Sequence, residues 1–112
     1  MEHRMDVRFP LHVPALLITN DQRLEGETLD LSFEGAGMRP APAQNFSTVQ
    51  PRQPVRLQLG PGPDALELPA MIIRRDEHGI GLLFSRYTPE AEDRLAGLLT
   101  GYLDIHGQRL FA

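Results

Sequence analysis

The sequence predicts a mainly β fold in which a small antiparallel barrel is followed by one C-terminal α-helix. Three observations support this prediction: short stretches of alternating polar and apolar residues recur, turn-forming residues separate them, and one helical pattern stands near the C-terminus. An antiparallel barrel suits such a chain because closing the sheet removes its exposed strand edges. The 112 residues are enough for one domain with its own core.

The alternating stretches predict six strands, separated by turns rich in Asn, Asp, Gly and Pro. In chain order, the predicted strands cover residues 11–18, 23–32, 36–39, 55–59, 66–75 and 80–85. Pro14 restricts the first strand to an edge or bulge position, because proline has no amide N–H to donate. Residues 40–54 are rich in proline and predict a long irregular connection.

The helix is predicted to begin at Thr88, an N-cap residue type, with Pro89 in the first helical position. The first turns of the helix contain three acidic residues, whose negative charges interact favourably with the positive end of the helix dipole: Glu90, Glu92 and Asp93. One face of the helix is apolar and consists of Leu95, Leu98, Leu99 and Tyr102. We expect this face to pack on the barrel or on a partner.

Composition argues against several functions. All eleven basic residues are arginine and the net charge is −4, which argues against binding a nucleic acid polymer, since that requires a broad basic surface. There is no cysteine and therefore no disulfide, zinc–thiolate site or thiol nucleophile. The sequence shows no signal-peptide pattern and no stretch of transmembrane length. We therefore expect a cytoplasmic protein without direct membrane insertion.

The most informative stretch is residues 30–35, which read Asp-Leu-Ser-Phe-Glu-Gly. Its apolar residues alternate with polar ones, which predicts that Asp30 and Ser32 lie together on the exposed face while Phe33 faces the core. A carboxylate and a hydroxyl would then form a compact polar platform beside Gly35, where a glycine lets backbone approach a ligand closely.

A second feature is the pair Arg4 and Arg8, four residues apart in a charged N-terminal segment without strand or helix periodicity. We interpret residues 1–10 as an arm that lies across the rest of the domain, although for such a pair taken alone a solvated tail is the alternative. The chain then divides into this arm, a barrel with its closing helix over residues 11–103, and a tail over residues 104–112 whose role the sequence does not indicate.

Taken together, residues 4–8 and 30–35 resemble the Arg-x-x-x-Arg and Asp/Asn-x-Ser-x-x-Gly signature of PilZ domains. The order of predicted elements agrees with that family, and the resemblance covers roughly residues 3–103. It implies a six-stranded antiparallel PilZ-type β-barrel with a C-terminal helix, acting as a receptor for the bacterial second messenger cyclic di-GMP.

The resemblance also implies which residues contact the ligand. In PilZ domains the arginine arm wraps over cyclic di-GMP and the Asp/Ser motif receives it from the barrel. The ligand-binding residues implied here are Arg4, Arg8, Asp30, Ser32, Gly35 and Arg74. Arg74 stands where some PilZ domains have a further ligand-facing arginine, and a solvated side chain is the alternative for it. His3, just before the arginine motif, does not decide between one bound cyclic di-GMP and a stacked pair.

No catalytic arrangement is visible, and the scattered histidines lack metal-ligand spacing. We therefore predict a protein that is not an enzyme and has no metal site and no cofactor besides its ligand. Binding would be passed to a protein effector or attached domain that controls motility, exopolysaccharide or biofilm formation. Two alternatives stay open: a PilZ-fold protein-interaction module that works without the nucleotide, and a small nucleic-acid-binding barrel, against which the acidic charge argues.

Overall fold

The computed structural model of the chain describes the backbone of residues 7–111 and the side chains of residues 7–101. Within this part of the chain, six strands form a closed antiparallel barrel and one helix follows, which confirms the predicted fold class. The elements are β1 (Pro14–Ile18), β2 (Arg23–Leu31), β3 (Gly35–Pro40), β4 (Pro54–Leu59), β5 (Leu66–Asp76), β6 (Gly79–Phe84) and α1 (Pro89–Phe111).

The strands follow one another around the barrel in the order β1-β2-β3-β6-β5-β4, and β4 pairs with β1 to close it. Short turns join four of the neighbouring pairs, whereas β3 pairs with β6 and β1 with β4 through residues distant in sequence. Residues 41–53 carry the chain from β3 to β4 and bury Phe46 and Val49 against the barrel core. The irregular connection therefore contributes to the core as well as linking two strands.

The core consists of inward-facing strand residues and part of the helix. Its fully buried leucines include Leu17, Leu31, Leu57, Leu68, Leu82 and Leu95. Helix α1 packs against β5, with Leu95 and Leu99 in the core and Leu98 packed against it. This confirms barrel packing for three residues of the predicted apolar face, and the side chain of the fourth, Tyr102, lies outside the described residues. Residues 104–111, for which the sequence predicts no structure, continue this helix.

The first strand is shorter than predicted, because the residues before Pro14 run alongside β2 instead of pairing with β4. Phe9 forms an isolated antiparallel bridge with Leu31, with 2.9 Å hydrogen bonds in both directions. The amide of Val13 donates to the hydroxyl of Thr28, a fully buried residue of β2. The base of the N-terminal segment is thereby fixed along the strand that carries Asp30.

Candidate ligand-binding site

The structure brings Arg8 and Asp30 into direct contact. The bridge at Phe9 places the preceding arginine beside the end of β2, where Arg8 Nη1 donates to Asp30 Oδ1 at 2.8 Å. The same carboxylate oxygen accepts from the amide of Gly37 at 3.0 Å. The two charged side chains are 36% and 34% exposed, so the ion pair lies at the surface where a ligand could reach it.

The predicted alternation along residues 30–35 is wrong beyond Leu31. Ser32 is fully buried and Phe33 is exposed, the reverse of the expected pattern. The β2–β3 register shifts between Thr28 and Asp30, and β2 ends at Leu31, so the period of two does not continue through the stretch. Asp30 and Ser32 therefore do not share an exposed face.

Ser32 organises the turn that follows β2. Its Oγ accepts from the amides of Glu34 at 3.0 Å and Gly35 at 3.1 Å, and lies 3.3 Å from the carbonyl of Gly35, to which its hydroxyl donates. The hydroxyl thus provides an acceptor for two backbone amides of the turn, and the Gly35 carbonyl also accepts from the amide of Ser32 at 2.9 Å. In this structure the hydroxyl serves the turn rather than an exposed platform.

Gly35 is required by the approach of a neighbouring strand. A Cβ atom at this position would lie 2.2 Å from the carbonyl oxygen of Leu82 on β6, a backbone atom that cannot move independently of its strand. It would also lie 3.4 Å from Arg8 Nη2, so this guanidinium rests directly above the glycine. The close approach observed at Gly35 is thus that of β6, and the predicted approach of backbone to a ligand stays a prediction.

Two further hydrogen bonds hold the turn, one from the last residue of β6 and one from the segment between β6 and α1. The amide of Phe84 donates to the carbonyl of Glu34, and the hydroxyl of Tyr87 donates to the carbonyl of Phe33, both at 2.8 Å. Burial raises the pKa of Tyr87 above its ordinary value, and the negative charges of Glu92 and Glu34 add to this increase. Residues 32–35 thus form a turn bonded on both of its sides.

Arg74 lies on the same outer surface, two strands away from Gly37. Its guanidinium Nη1 donates to Asp76 Oδ2 at 2.9 Å, and the side chain is 57% exposed. The other oxygen of Asp76 accepts from the amide of His78 at 2.8 Å. That backbone hydrogen bond is the main cause that lowers the pKa of Asp76. Loss of solvation opposes it, and the charge and hydrogen bond of Arg74 lower the pKa further.

Strand pairing connects Asp30 with Arg74 through two glycines. Asp30 is opposite Gly37, Gly37 is opposite Gly81, and Gly81 is opposite Arg74, so the four residues form one row across β2, β3, β6 and β5. We call them the charged row. Sequence reasoning missed Gly37 and Gly81, although a glycine inside a strand pattern is a known signal of a bulge or a close approach.

An exposed apolar surface adjoins the charged row. Leu83 pairs with Gly35 on one side and with Met71 on the other, and both large side chains are exposed. Ile73, at the register shift of β5, is exposed as well. Apolar side chains of this kind offer contact area to the ring of a nucleobase.

Arg4 lies outside the described residues, so the structure does not test its predicted place at the site. Of the predicted ligand residues that are described, Arg8, Asp30 and Gly35 are in mutual proximity, Ser32 lies beneath them and Arg74 is at the other end of the charged row. Among residues 7–101, no group of three or more His, Asp or Glu side chains is arranged to hold a metal ion. No helix within the described chain combines the length and apolarity needed to cross a membrane.

Comparison with known proteins identifies similar domains. A sequence model described as the PilZ domain matches residues 2–101. No curated protein was found to match the chain.

Three solved structures show how widely the fold agrees. The PilZ domain of CeSA from a cellulose-synthesizing bacterium is 24% identical with a TM-score of 0.66, over 85% of this chain and 96% of that one. The Bacillus subtilis inhibitor of motility, MotI/DgrA, is 16% identical with a TM-score of 0.66, over 93% of this chain and 53% of that one. An uncharacterized Legionella protein is 18% identical with a TM-score of 0.56, over 90% and 98% of the two chains. At these identities the likeness establishes a common fold.

Proposed function

Because this chain belongs to the PilZ domain family, we propose that it is a cytoplasmic receptor domain that binds cyclic di-GMP and couples the level of this second messenger to a partner protein. In this proposal the domain is a binding module and catalyses no reaction. The observation that carries the proposal is the meeting of Arg8, Asp30 and Gly35 at one exposed point of the barrel surface.

The chemistry of this point suits a cyclic guanine dinucleotide. A guanidinium such as that of Arg8 can hold a phosphate with two hydrogen bonds or donate to the O6/N7 edge of guanine. The Asp30 carboxylate accepts hydrogen bonds and can take them from guanine N–H groups. Arg4 and Arg74 would add further cationic contacts. Ser32 and Gly35 would act by shaping the turn beneath the ligand, in keeping with the burial of the serine.

The ion pair between Arg8 and Asp30 is compatible with binding, although it occupies both side chains in this structure. A pair that is about one-third exposed is worth roughly 0–1 kcal/mol, since water solvates the separated charges well. If a bound anion separated the pair, its own hydrogen bonds to the Arg8 guanidinium would replace the lost stabilisation. The pair also keeps the arginine at the site before the ligand arrives, which lowers the entropic cost of binding.

The proposed output is a change in the N-terminal segment. Phe9 is fixed to Leu31 by its bridge, and Arg8 stands immediately before it in the sequence. A ligand held by Arg8 would therefore act on the segment that precedes this anchor. A partner protein or attached domain could recognise that change. Control of motility, exopolysaccharide or biofilm formation is proposed on the strength of the family and the names of two structural neighbours.

Isothermal titration calorimetry of the full chain with cyclic di-GMP tests the proposal, with GTP and single-stranded DNA as control ligands. We expect binding of cyclic di-GMP with a Kd on the order of micromolar or tighter and no heat from either control. Absence of binding would favour the alternative function, a protein-interaction module that works without the nucleotide. Binding of single-stranded DNA with comparable affinity would favour a nucleic-acid-binding barrel.

A further inference from the structure

Each of the two charged side chains of the row lies over the glycine that its strand pairs with. The carboxylate of Asp30 lies over Gly37, with its Oδ2 atom 3.1 Å from the position that a Cβ would take there. The guanidinium of Arg74 lies over Gly81, with its Nε atom 3.0 Å from the corresponding position. Because β3 and β6 lie between β2 and β5, both charged ends project inward over the central pair of glycines.

The barrel itself does not require glycine at position 81. At Gly26, Gly35 and Gly79 an added Cβ would meet a backbone carbonyl oxygen at 2.1–2.2 Å. At Gly81 the three nearest atoms all belong to the Arg74 side chain, at 3.0–3.3 Å. Gly81 is also not among the glycines with positive φ.

Glycine inside a strand is costly, by about 0.5–1 kcal/mol relative to alanine, because it has the greatest backbone freedom to lose on folding. Where backbone packing does not require a glycine inside a strand, we look for another reason why a side chain is absent at that position. Here that reason is the space taken by the Arg74 side chain, which lies over β6 where a side chain at position 81 would otherwise stand.

The guanidinium of Arg74 is also held by the carboxylate of Asp76. The carboxylate is fixed by the amide of His78, and it accepts from Arg74 Nη1 at 2.9 Å. The planar guanidinium is thus supported by a carboxylate at one end and lies against bare backbone on one face. More than half of the side chain remains exposed, so donors are available to a ligand above the sheet.

We infer that Gly81 is a positioning residue that lets the Arg74 guanidinium lie over β6, so that both ends of the charged row face one bound cyclic di-GMP. This inference rests on the proposed function. It assigns Gly81 no contact with the ligand. Its effect on binding is exerted through Arg74.

A double-mutant cycle tests the inference, with cyclic di-GMP binding measured by calorimetry for wild type, Gly81→Ala, Arg74→Ala and the double variant. We expect each single variant to bind about tenfold more weakly and the double variant to bind no more weakly than Arg74→Ala. The thermal midpoint of Gly81→Ala should equal or exceed that of wild type, because only a flexible side chain must move. The control is Arg56→Ala on β4, which removes a similarly exposed, ion-paired arginine outside the charged row and should bind as wild type.

The dependence of cyclic di-GMP affinity on ionic strength provides a second measurement. If Gly81 had a purely structural role, replacing it would not change this dependence. Loss of a cation–anion contact makes binding less sensitive to salt, and we expect the same reduced sensitivity for Gly81→Ala and Arg74→Ala. Wild-type affinity in Gly81→Ala, or additive losses in the double variant, would overturn the positioning role while leaving the receptor function intact. If the wild-type chain itself fails to bind cyclic di-GMP, the proposed function and this inference fall together.

Discussion

The exposed pair of Arg8 and Asp30 and the turn of residues 32–35, which is built around the buried Ser32, are adjacent, yet they hold their polar groups in opposite ways. The pair is about one-third exposed, with a 2.8 Å salt bridge and a hydrogen bond from the Gly37 amide to the Asp30 carboxylate. The polar atoms of the turn are engaged from inside by Ser32 and from outside by Tyr87. One short motif therefore combines two tasks: its aspartate faces solvent and can meet a ligand, while its serine and glycine build the support beneath.

The largest expected effect is the destabilisation caused by Gly35→Ala. The added Cβ would lie 2.2 Å from the Leu82 carbonyl oxygen, so β3 and β6 would have to separate. We expect the free energy of unfolding to fall by about 3 kcal/mol, measured by urea denaturation. Gly97→Ala is the control, since an added Cβ on that exposed helical residue meets nothing within 4 Å, and it should raise stability slightly. Equal stability of Gly35→Ala and wild type would contradict the supporting role of this glycine.

The second effect concerns binding rather than folding. Arg8→Ala should weaken cyclic di-GMP binding by about 1.5–3 kcal/mol, because it removes a charge-assisted contact. Its free energy of unfolding should change by no more than about 1 kcal/mol, as expected for an exposed ion pair. Calorimetry and urea denaturation of the same variant measure both quantities, with Arg56→Ala as the control that carries the same change in charge. If Arg8→Ala failed to fold, Arg8 would be required for the structure of the domain, and the contrast between a ligand-facing pair and a supporting turn would be wrong.

Third, Ser32→Ala should act mainly on stability. Its hydroxyl bonds the amides of Glu34 and Gly35, and burial keeps water from replacing it. We expect a loss of about 1–3 kcal/mol in the free energy of unfolding, against almost none for Ser85→Ala at an exposed position. If instead Ser32→Ala retains full stability and loses ligand binding, the serine contacts the ligand directly and the division of tasks is wrong.

The smallest effect is expected from Tyr87→Phe, which removes the bond to the Phe33 carbonyl. Because water can reach that carbonyl, we expect a loss of about 0.5 kcal/mol near neutral pH. The raised pKa of Tyr87 makes the stability depend on pH. The stabilisation by the protonated hydroxyl is complete below the unfolded-state pKa near 10 and is lost as pH rises through the folded-state pKa. Denaturation midpoints of wild type and Tyr87→Phe should therefore converge at alkaline pH, and a constant difference would exclude this linkage.

Much of the fold followed from local sequence. Alternating or apolar runs between turn residues predicted all six strands, and the acidic first turn with its Pro89 predicted the start of the helix, because these features depend on residues close together in the chain. The N-terminal boundary of β1 was wrong, since residues 9–13 are held beside β2 by contacts with Leu31 and Thr28 that no local pattern encodes.

For the candidate site, the sequence alone determined the residue types and the spacing of the motifs, and their resemblance to the PilZ signature implied that Arg8 and Asp30 belong together. Only the tertiary structure decided that Ser32 is buried, that Gly35 serves the approach of β6, and that Gly37 and Gly81 connect Asp30 with Arg74. The reason is physical: local propensity acts over a few residues, whereas a register shift and the pairing of β3 with β6 arise when distant segments close the barrel.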